Sequence, residues 1–328
     1  MSANRLDQAA QATQTAFVFP GQGSQKMGML ADLAAQFPVI EETFKEASAA
    51  VGFDLWHIAQ SGEGINETQY TQPVLLTASI ALWRLWLDLG GVAPKFLAGH
   101  SLGEYSALVA AGSLSLADAA KLVYLRGQLM QQAVPQGAGA MAAILGFEDA
   151  KVVELCAQIS AQDFGSVEAA NYNANGQVVV AGTKAAVDAL IALVKENSGK
   201  AIALPVSVPS HCSLMKPAAE KFAEALEQTA IELPCIPVIQ NVNAKAAQTV
   251  DEVRLALTAQ LYESVQWTKT MQVFEQQGIH YLMECGPGNV LANLAKRLPN
   301  IEKAFPLDTQ ARMEDALNAV LVAEGKIA

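Results

Sequence analysis

The sequence predicts an α/β fold in which a small subdomain is inserted into a larger one. In the larger part, short apolar runs alternate with segments of helical periodicity, which is typical of a mostly parallel sheet covered by helices. Between residues 136 and 208 the predicted order changes to β-α-β-β-α-β, which is the ferredoxin-like arrangement. A third observation, the pentapeptide Gly-His-Ser-Leu-Gly between an apolar run and a helix, fits a sharp turn at a strand end.

The predicted division gives residues 15–135 and 209–328 to the larger subdomain and residues 136–208 to the smaller one. Residues 1–14 are polar and rich in Gln and Ala, so we expect a flexible extension without the apolar core of a secretory signal. Before the insertion, the predicted elements are a strand over 16–19, a glycine-bearing loop over 20–25, a helix over 73–89, a strand over 96–98, a helix ending near 111 and a helix over 115–134. After it come a helix over 214–229, a strand over 236–240, a helix over 250–261 and a strand over 280–285.

The smaller subdomain contains an Asn-rich segment, residues 171–176, whose composition favours a turn between two strands. Asn173 of this turn could also face the cleft between the subdomains, which makes it a candidate for a secondary role. The elements predicted for this part are strands over 141–145, 167–172, 177–181 and 201–208 and helices over 148–160 and 183–196.

Composition argues against several classes of protein. The chain has 328 residues, of which 52% are hydrophobic and 16% charged, so it can bury a sizeable core. Its net charge of −11 argues against a nucleic-acid binder, and its longest uncharged stretch, residues 127–147, contains too many Gln residues to span a membrane. The four cysteines have no Cys-x-x-Cys spacing, which predicts reduced thiols, a cytoplasmic protein and no metal site.

The pentapeptide at residues 99–103 carries the clearest chemical signal. Gly-x-Ser-x-Gly on a strand-to-helix turn is a nucleophile elbow, in which the serine hydroxyl is exposed at a helix N-terminus. Backbone N–H groups at such a terminus can stabilise an oxyanion. Ser101 is therefore the candidate nucleophile, although the same sequence also occurs as a plain strand-to-helix connection.

A serine nucleophile needs a base, and the chain contains four histidines. His100 adjoins Ser101 and should leave the elbow in another direction, so it has at most a secondary role. His57 fits a structural role, and His280 begins a predicted strand, away from the end that would face a ligand. His211 follows the apolar run predicted as the strand over 201–208, and the carboxyl ends of strands are where ligand chemistry gathers in α/β proteins. We therefore predict His211 as the base, the alternative being a loop histidine that caps the next helix.

No carboxylate between Ser101 and His211 stands at an obvious strand end of the main sheet, where an ordinary hydrolase would place its acid. The imidazole could instead be oriented by a backbone carbonyl, which fixes the tautomer without a buried charge. This departure is the first indication that the chain is not an ordinary serine hydrolase.

Arg126 falls in the middle of an apolar stripe on the helix predicted over residues 115–134. A guanidinium group stays charged and is unfavourable to bury without a partner, so it needs a carboxylate or a phosphate. Two interpretations remain open. Arg126 forms a structural salt bridge, or it binds a substrate carboxylate bidentately, which we favour.

Together these motifs resemble the malonyl-CoA:acyl-carrier-protein transacylase family over about residues 16–298. The segments that carry the resemblance, in family order, are Phe-Pro-Gly-Gln-Gly-Ser-Gln at 19–25, Gly-His-Ser-Leu-Gly-Glu at 99–104, Tyr-Leu-Arg-Gly at 124–127, Val-Pro-Ser-His-Cys at 208–212, Gln-Leu-Tyr at 260–262 and Glu-Cys-Gly-Pro-Gly at 284–288. As a set they are highly specific.

The resemblance implies a hydrolase-like larger subdomain, with the active site between it and the ferredoxin-like one. It implies Ser101 as nucleophile and His211 as base. The other roles that it implies are the backbone carbonyl of Gln260 as the group that orients His211, the backbone N–H groups of Gln22 and Leu102 as the oxyanion hole, and Arg126 as the ligand of the malonyl carboxylate.

The implied activity is transfer of a malonyl group from malonyl-CoA to the phosphopantetheine thiol of an acyl carrier protein in fatty-acid biosynthesis, by a ping-pong mechanism. We expect a monomer with no bound cofactor, no metal, and neither nucleic acid nor membrane as partner. The alternatives are an acyltransferase of a polyketide pathway, a serine thioesterase or other hydrolase, and a carrier-binding module without activity. Arg126 and the missing triad carboxylate disfavour the hydrolase.

Overall fold

The computed structural model describes residues 14–206, 208–296 and 301–323. The predicted flexible extension lies outside the described residues except for Gln14, whose carbonyl oxygen accepts the backbone N–H groups of His280 and Tyr281. Within the described residues, the strands are β1 (Thr15–Phe19), β2 (Phe96–Gly99), β3 (Gly139–Leu145), β4 (Val167–Ala174), β5 (Gln177–Thr183), β6 (Lys200–Ala203), β7 (Val238–Ile239), β8 (Tyr281–Glu284) and β9 (Lys303–Pro306).

The helices of the described residues precede, cover and connect these strands. They are α1 (Ala31–Ala34), α2 (Val39–Val51), α3 (Leu55–Ser61), α4 (Thr68–Asp88), α5 (Gly103–Ala110), α6 (Leu116–Ala133), α7 (Asp149–Ser160), α8 (Lys184–Glu196), α9 (Lys216–Gln228), α10 (Val250–Ala259), α11 (Trp267–Gln276), α12 (Val290–Ala295) and α13 (Gln310–Ala323). A short 3₁₀ helix, Ser213–Met215, leads into α9.

The first sheet is parallel throughout, in the order β7-β2-β1-β8-β9. Residues 16–19 of β1 are completely buried because helices cover both faces of the sheet. Phe17 packs on one face, edge-on against Trp83 and Trp86 of α4. Ala16 and Val18 pack on the other face, in a cluster with Trp267 and Phe274 of α11. The continuous apolar run that predicted β1 therefore reflects burial on two sides.

The carboxyl ends of β1, β2 and β8 lie at one edge of this sheet. Phe19, the last residue of β1, is in register with Gly99, the last residue of β2, and Val18 is in register with Glu284 of β8. The loops after these three strands therefore meet at this edge, which is where parallel α/β sheets bind ligands.

The second sheet is antiparallel, in the order β4-β5-β3-β6, and together with α7 and α8 it has the ferredoxin-like arrangement that was predicted. The two helices bury one face of the sheet. On the opposite face Met141, Ala170 and Val179 pack with Cys212, which follows His211. The exact subdomain boundaries at residues 135/136 and 208/209 remain a prediction.

Strand β4 also joins the second sheet to the segment after α10. The N–H of Tyr172 donates to the carbonyl of Val265 over 2.9 Å, and the N–H of Val265 donates to Ala170 over 2.9 Å. The hydroxyl of Ser264 donates to the carbonyl of Ala169 over 2.5 Å. These bonds fix the second sheet against the edge of the first one where the loops meet.

Two predicted boundaries were wrong by five residues each, while the other predicted boundaries lie within two residues of the observed ones. Helix α4 begins at Thr68 rather than at Pro73, because Gln131 of α6 accepts the N–H of Gln69 over 2.8 Å and stabilises the turn before the proline. Strand β6 ends at Ala203 rather than at residue 208. The Leu204 N–H still donates to Met141 of β3, but the Val206 N–H donates back to the carbonyl of Leu204 over 2.8 Å, which turns the chain out of the ladder. Among the described residues, no helix is both long and apolar enough to cross a bilayer.

Candidate active site

The elbow after β2 is built by glycines that admit no side chain. A Cβ on Gly99 would overlap the carbonyl group of Gly103, and a Cβ on Gly103 would overlap the carbonyl oxygen of Phe19. Ser101 between them has φ of 54°, a left-handed conformation that is strained for a residue with a side chain. Close packing of backbone on backbone thus forces the turn that presents the Ser101 hydroxyl.

This packing predicts that Gly103→Ala destabilises the protein by about 3 kcal/mol or more, because the methyl group meets backbone atoms that cannot rotate away. The matched control is Gly278→Ala. Gly278 has φ of 70° and nothing near its Cβ position, so only the left-handed conformation costs about 1 kcal/mol there. Urea unfolding of both variants measures the difference, and equal losses of unfolding free energy would contradict the steric explanation.

His211 lies between Ser101 and Gln260. Its Nε2 is 2.7 Å from the Ser101 Oγ, and its Nδ1 is 2.6 Å from the backbone carbonyl oxygen of Gln260. A carbonyl can only accept, so Nδ1 carries the proton and Nε2 is free to take the proton of the serine. Burial and the nearby Arg126 guanidinium lower the pKa of His211 to about 3, so the imidazole is neutral near pH 7.

The prediction of His211 used a strand that the structure does not contain. The apolar run was expected to end at residue 208, but β6 ends at Ala203 and belongs to the antiparallel sheet. His211 reaches the parallel-sheet edge by a loop, in which its own N–H donates to the carbonyl of Leu261 over 3.0 Å. Its φ of 62° is the second left-handed conformation next to the serine hydroxyl.

Arg126 is 1% exposed and lies beside the nucleophile. Its Nη1 donates to the side-chain oxygen of Gln72 over 2.9 Å, and its Nη2 donates to the side-chain oxygen of Gln260 over 3.0 Å and to the Ser101 Oγ over 3.3 Å. The Tyr105 ring centre is 5.5 Å from the guanidinium carbon. These contacts hold the guanidinium group in place through neutral groups.

The structural salt bridge considered for Arg126 is not present. In the part of the chain that the structure describes, the ion pairs of arginine involve residues 84, 254 and 312, not 126. Burial lowers the pKa of Arg126, because a cation without a direct anionic contact is unfavourable in a site from which water is excluded. A carboxylate that entered from the cavity would supply that contact.

Gln22 and Leu102 both line the cavity beside Ser101, and their backbone N–H groups are the candidate oxyanion donors. Gln22 belongs to the loop after β1, and Leu102 is the residue before α5. Within residues 14–206 and 208–296, neither N–H has a hydrogen-bond acceptor. The side chain of Gln22 donates to Thr68 over 3.3 Å, which holds the loop. Free N–H donors beside a nucleophile are the parts of an oxyanion hole.

His100 and Asn173 contact each other rather than Ser101. The His100 Nε2 is 2.8 Å from the Asn173 Oδ1, and the imidazole packs beside the indole of Trp267 at a ring distance of 5.4 Å. Burial lowers the pKa of His100. Both residues line the cavity, so the Asn-rich turn does reach the cleft, while a role in the reaction remains a prediction.

Asn241 was not predicted and clamps the elbow from the neighbouring strand. Its Oδ1 accepts the N–H of Ser101 over 2.7 Å, and its Nδ2 donates to the carbonyl of Gly99 over 2.6 Å. It comes two residues after β7, which pairs with β2. The rule that ligand chemistry gathers at strand ends could have identified it from the strand predicted over 236–240.

The side chains of Gln72, Glu104 and Gln260 were also missed, because they act on groups that are distant in the sequence. The Gln260 Nε2 donates to the carbonyl of Ser101 over 2.9 Å and to the Glu104 Oε2 over 2.7 Å. Gln260 therefore contacts the nucleophile, the arginine and a buried carboxylate with its side chain, and the histidine with its backbone.

The cavity over these groups has a volume of about 570 Å³, within the usual range for small-molecule sites. Met141 and Val179 of the second sheet form one wall, and Leu291 at the start of α12 lies on another side. The described residues contain no group of three or more His, Cys, Asp or Glu side chains that could hold a metal ion. The arrangement of Ser101, His211 and Arg126 can carry out acyl transfer through a serine ester on a substrate that bears a carboxylate.

Comparison with known proteins gives the same class of chemistry. The acyl transferase domain family matches residues 16–297. The malonyl CoA-acyl carrier protein transacylase of Escherichia coli K12 is 52% identical over 308 residues, which cover 93% of this chain and 99% of the relative.

Two solved structures show the same fold. FabD from Acinetobacter baumannii is 77% identical with a TM-score of 0.94 and covers 95% of this chain and 99% of its own. A malonyl-transacylase solved in complex with a type II PKS acyl-carrier protein is 48% identical with a TM-score of 0.90. The match covers 93% of this chain and 99% of that one. The chain therefore belongs to the acyl transferase domain family, among the malonyl CoA-acyl carrier protein transacylases.

Proposed function

We propose that the protein transfers the malonyl group of malonyl-CoA to the phosphopantetheine thiol of an acyl carrier protein, in fatty-acid biosynthesis. The observation that carries the proposal is the buried guanidinium of Arg126, which has no direct carboxylate contact among the described residues and lies 3.3 Å from the Ser101 Oγ. A hydrolase of neutral acyl groups has no use for such a cation. An acyl group that ends in a carboxylate fits it.

In the first half of the proposed reaction, Ser101 attacks the thioester carbonyl carbon while its proton moves to the His211 Nε2. The carbonyl π electrons move onto oxygen, and the N–H groups of Gln22 and Leu102 stabilise this oxyanion; loss of one such donor typically costs about 10²–10³ in rate. When the intermediate collapses, the carbon–sulfur bond breaks and His211 returns the proton to the CoA sulfur. CoA leaves as the thiol, and malonyl-Ser101 remains.

In the second half, the phosphopantetheine thiol of the carrier protein takes the place of CoA. Its proton moves to His211, its sulfur attacks the ester carbonyl, and the Ser101 oxygen leaves and regains the proton. The two half-reactions make a ping-pong mechanism with one covalent intermediate. The carbonyl of Gln260 serves both halves, because it keeps the imidazole in the same tautomer throughout.

Arg126 provides the selectivity in this proposal. A malonyl carboxylate accepts from the planar guanidinium in a bidentate pair, which is both stronger and more directional than a single contact. An acetyl group would occupy the same cavity and leave the buried cation without a direct anionic contact. A buried polar group that one substrate pairs and another leaves unpaired discriminates between the two substrates more strongly than apolar contacts alone can.

Two alternatives concern the acceptor. A thioesterase would deliver malonyl-Ser101 to water, and the relative solved with a type II PKS acyl-carrier protein makes a polyketide carrier the second candidate acceptor. A cytoplasmic location is part of the proposal and is supported by the buried thiols of Cys156, Cys212 and Cys285, which form no disulfide, as is typical of a reducing compartment. The proposal also includes a monomer that needs no bound cofactor.

Intact-protein mass spectrometry after brief mixing with malonyl-CoA tests the proposal. We expect a single malonyl adduct that maps to Ser101, is discharged by holo-acyl carrier protein, and scarcely forms with acetyl-CoA. Continuous release of CoA without an acceptor would instead identify a hydrolase. Absence of both adduct and turnover would leave only a binding role.

A further inference from the structure

Glu104 is a buried carboxylate that the proposed reaction does not use. It lies in the first turn of α5 and is 1% exposed. Its Oε2 accepts the Nε2 of Gln260 over 2.7 Å and the backbone N–H of Asn241 over 3.1 Å. It does not contact His211, so it is not the missing acid of a triad.

Glu104 and Arg126 act on each other through the amide of Gln260. The amide nitrogen donates to Glu104 and the amide oxygen accepts from Arg126, so one side chain links an acidic group to a basic one without direct contact. The Arg126 charge favours the ionised form of Glu104, and the Glu104 charge favours the ionised form of Arg126. In the described part of the free protein, Glu104 is the acidic group that offsets the cation at this position.

A malonyl carboxylate on Arg126 would change this balance. Two carboxylates would then share one guanidinium group in a site with little water, and like charges at short range raise the pKa of at least one of the groups. The substrate carboxylate would contact the arginine directly, while Glu104 is one side chain further away. Glu104 is therefore the group that should give up its charge.

We propose, resting on the malonyl-transfer function above, that Glu104 is the counterion of Arg126 in the free enzyme and takes up a proton from solvent when the malonyl group occupies the site. The net charge of the buried cluster then stays constant, since the incoming carboxylate replaces the one that is neutralised. Glu104 acts through Arg126 and Gln260, so it is a positioning residue and not a catalytic one.

The charged and titratable groups around Glu104 support this exchange. Burial raises the pKa of Glu104 to about 7, against the opposing effects of Gln260, Asn241 and Arg126. Arg126 faces it from α6, and burial raises the pKa of the neighbouring Tyr105 on α5, which stays neutral. His211, beyond Gln260, stays neutral until far lower pH. A carboxyl group poised near pH 7 can change its charge on substrate binding.

Acylation itself releases and consumes no net proton, because the proton of Ser101 leaves on the CoA thiol. Any proton taken up when malonyl-Ser101 forms therefore reports a change elsewhere. Stopped-flow mixing of the protein with malonyl-CoA in weakly buffered solution with a pH indicator measures this uptake, and mass spectrometry of the same samples counts adducts. From a pKa of about 7, we expect nearly one proton per adduct at pH 8 and about one tenth of a proton at pH 6.

Glu104→Gln keeps the volume of the side chain and removes its charge. We expect this variant to form the adduct with no proton uptake. In the wild type, the KM for malonyl-CoA should rise roughly tenfold for each pH unit above pH 7, because binding requires a proton; in Glu104→Gln this rise should be absent. Glu284→Gln is the matched control. Glu284 is also fully buried with a pKa raised to about 7, but it accepts from the N–H groups of Leu291 and Ala292, not from the cluster around Arg126.

The outcomes separate this inference from the function on which it rests. Absence of a malonyl adduct in the wild type would overturn both. An adduct without proton uptake at pH 8 would overturn the counterion exchange alone, as would uptake that persists in Glu104→Gln or disappears in Glu284→Gln. If Glu104→Gln fails to fold, the wild type and Glu284→Gln still test the inference: uptake that falls from pH 8 to pH 6 and is retained in Glu284→Gln supports it, and uptake lost in Glu284→Gln or absent at pH 8 overturns it.

Discussion

Replacing Ser101 with alanine is expected to reduce malonyl transfer by roughly 10⁴- to 10⁶-fold, the range for loss of a serine nucleophile. The hydroxyl of Ser101 is the group that the structure places 2.7 Å from the His211 Nε2. The alanine variant should form no malonyl adduct in intact-protein mass spectrometry. It should still bind malonyl-CoA, because Arg126 and the cavity walls are unchanged.

Alanine keeps the same left-handed backbone strain as serine at this position, so stability should change little. Similar urea unfolding curves for both proteins would therefore establish that the loss is chemical. An acyl group that remains attached to the alanine variant would show that another residue is the nucleophile.

Arg126→Ala is expected to lower kcat/KM for malonyl-CoA by about 10³-fold, which corresponds to about 4 kcal/mol. Loss of the guanidinium leaves the substrate carboxylate buried without its partner. Transfer of an acetyl group, which has no carboxylate, should fall far less or rise. The measurement is kcat/KM for the two thioesters with the same carrier protein, reported as a ratio.

Arg126→Lys is the matched control for this prediction. It retains the positive charge but replaces a planar fork of donors with one ammonium group, so malonyl transfer should fall to an intermediate level. Equal losses for malonyl and acetyl groups in Arg126→Ala would contradict the proposed role. Such a result would mean that Arg126 only supports the packing around Gln72 and Gln260.

The features that could be predicted from the sequence are those governed by local sterics and burial. The elbow follows from two glycines, since no other residue fits where Gly99 and Gly103 pack against backbone. Strand β1 was predictable because burial on both faces requires a continuous apolar run. The ferredoxin-like order was predictable because the periods of its strands and helices differ, and an Asn-rich turn marks the one place where two strands follow each other.

Other features depend on partners far apart in the chain. Gln72 and Arg126 are separated by 54 residues and Ser101 and Asn241 by 140, and no local pattern marks such pairs. The orienting role of Gln260 was implied only by the resemblance, since a backbone carbonyl leaves no signature in the sequence. Helix α2 was missed although Ile40, Phe44 and Ala47 repeat at helical spacing and are buried, so a closer search of residues 26–66 would have found it.

The carbonyl that orients His211 has a consequence for how this protein tolerates mutation. In a Ser-His-Asp enzyme, one base change in the aspartate codon can delete the orienting group. Here the 2.6 Å contact is made by the main chain of Gln260, and all twenty amino acids carry that carbonyl. A codon-randomised library at position 260 would vary the contacts to Arg126 and Glu104 while every member still encodes the oxygen that orients the imidazole. The oxygen that orients His211 therefore persists under any amino-acid substitution at position 260, whereas the contacts to Arg126 and Glu104 depend on the side chain.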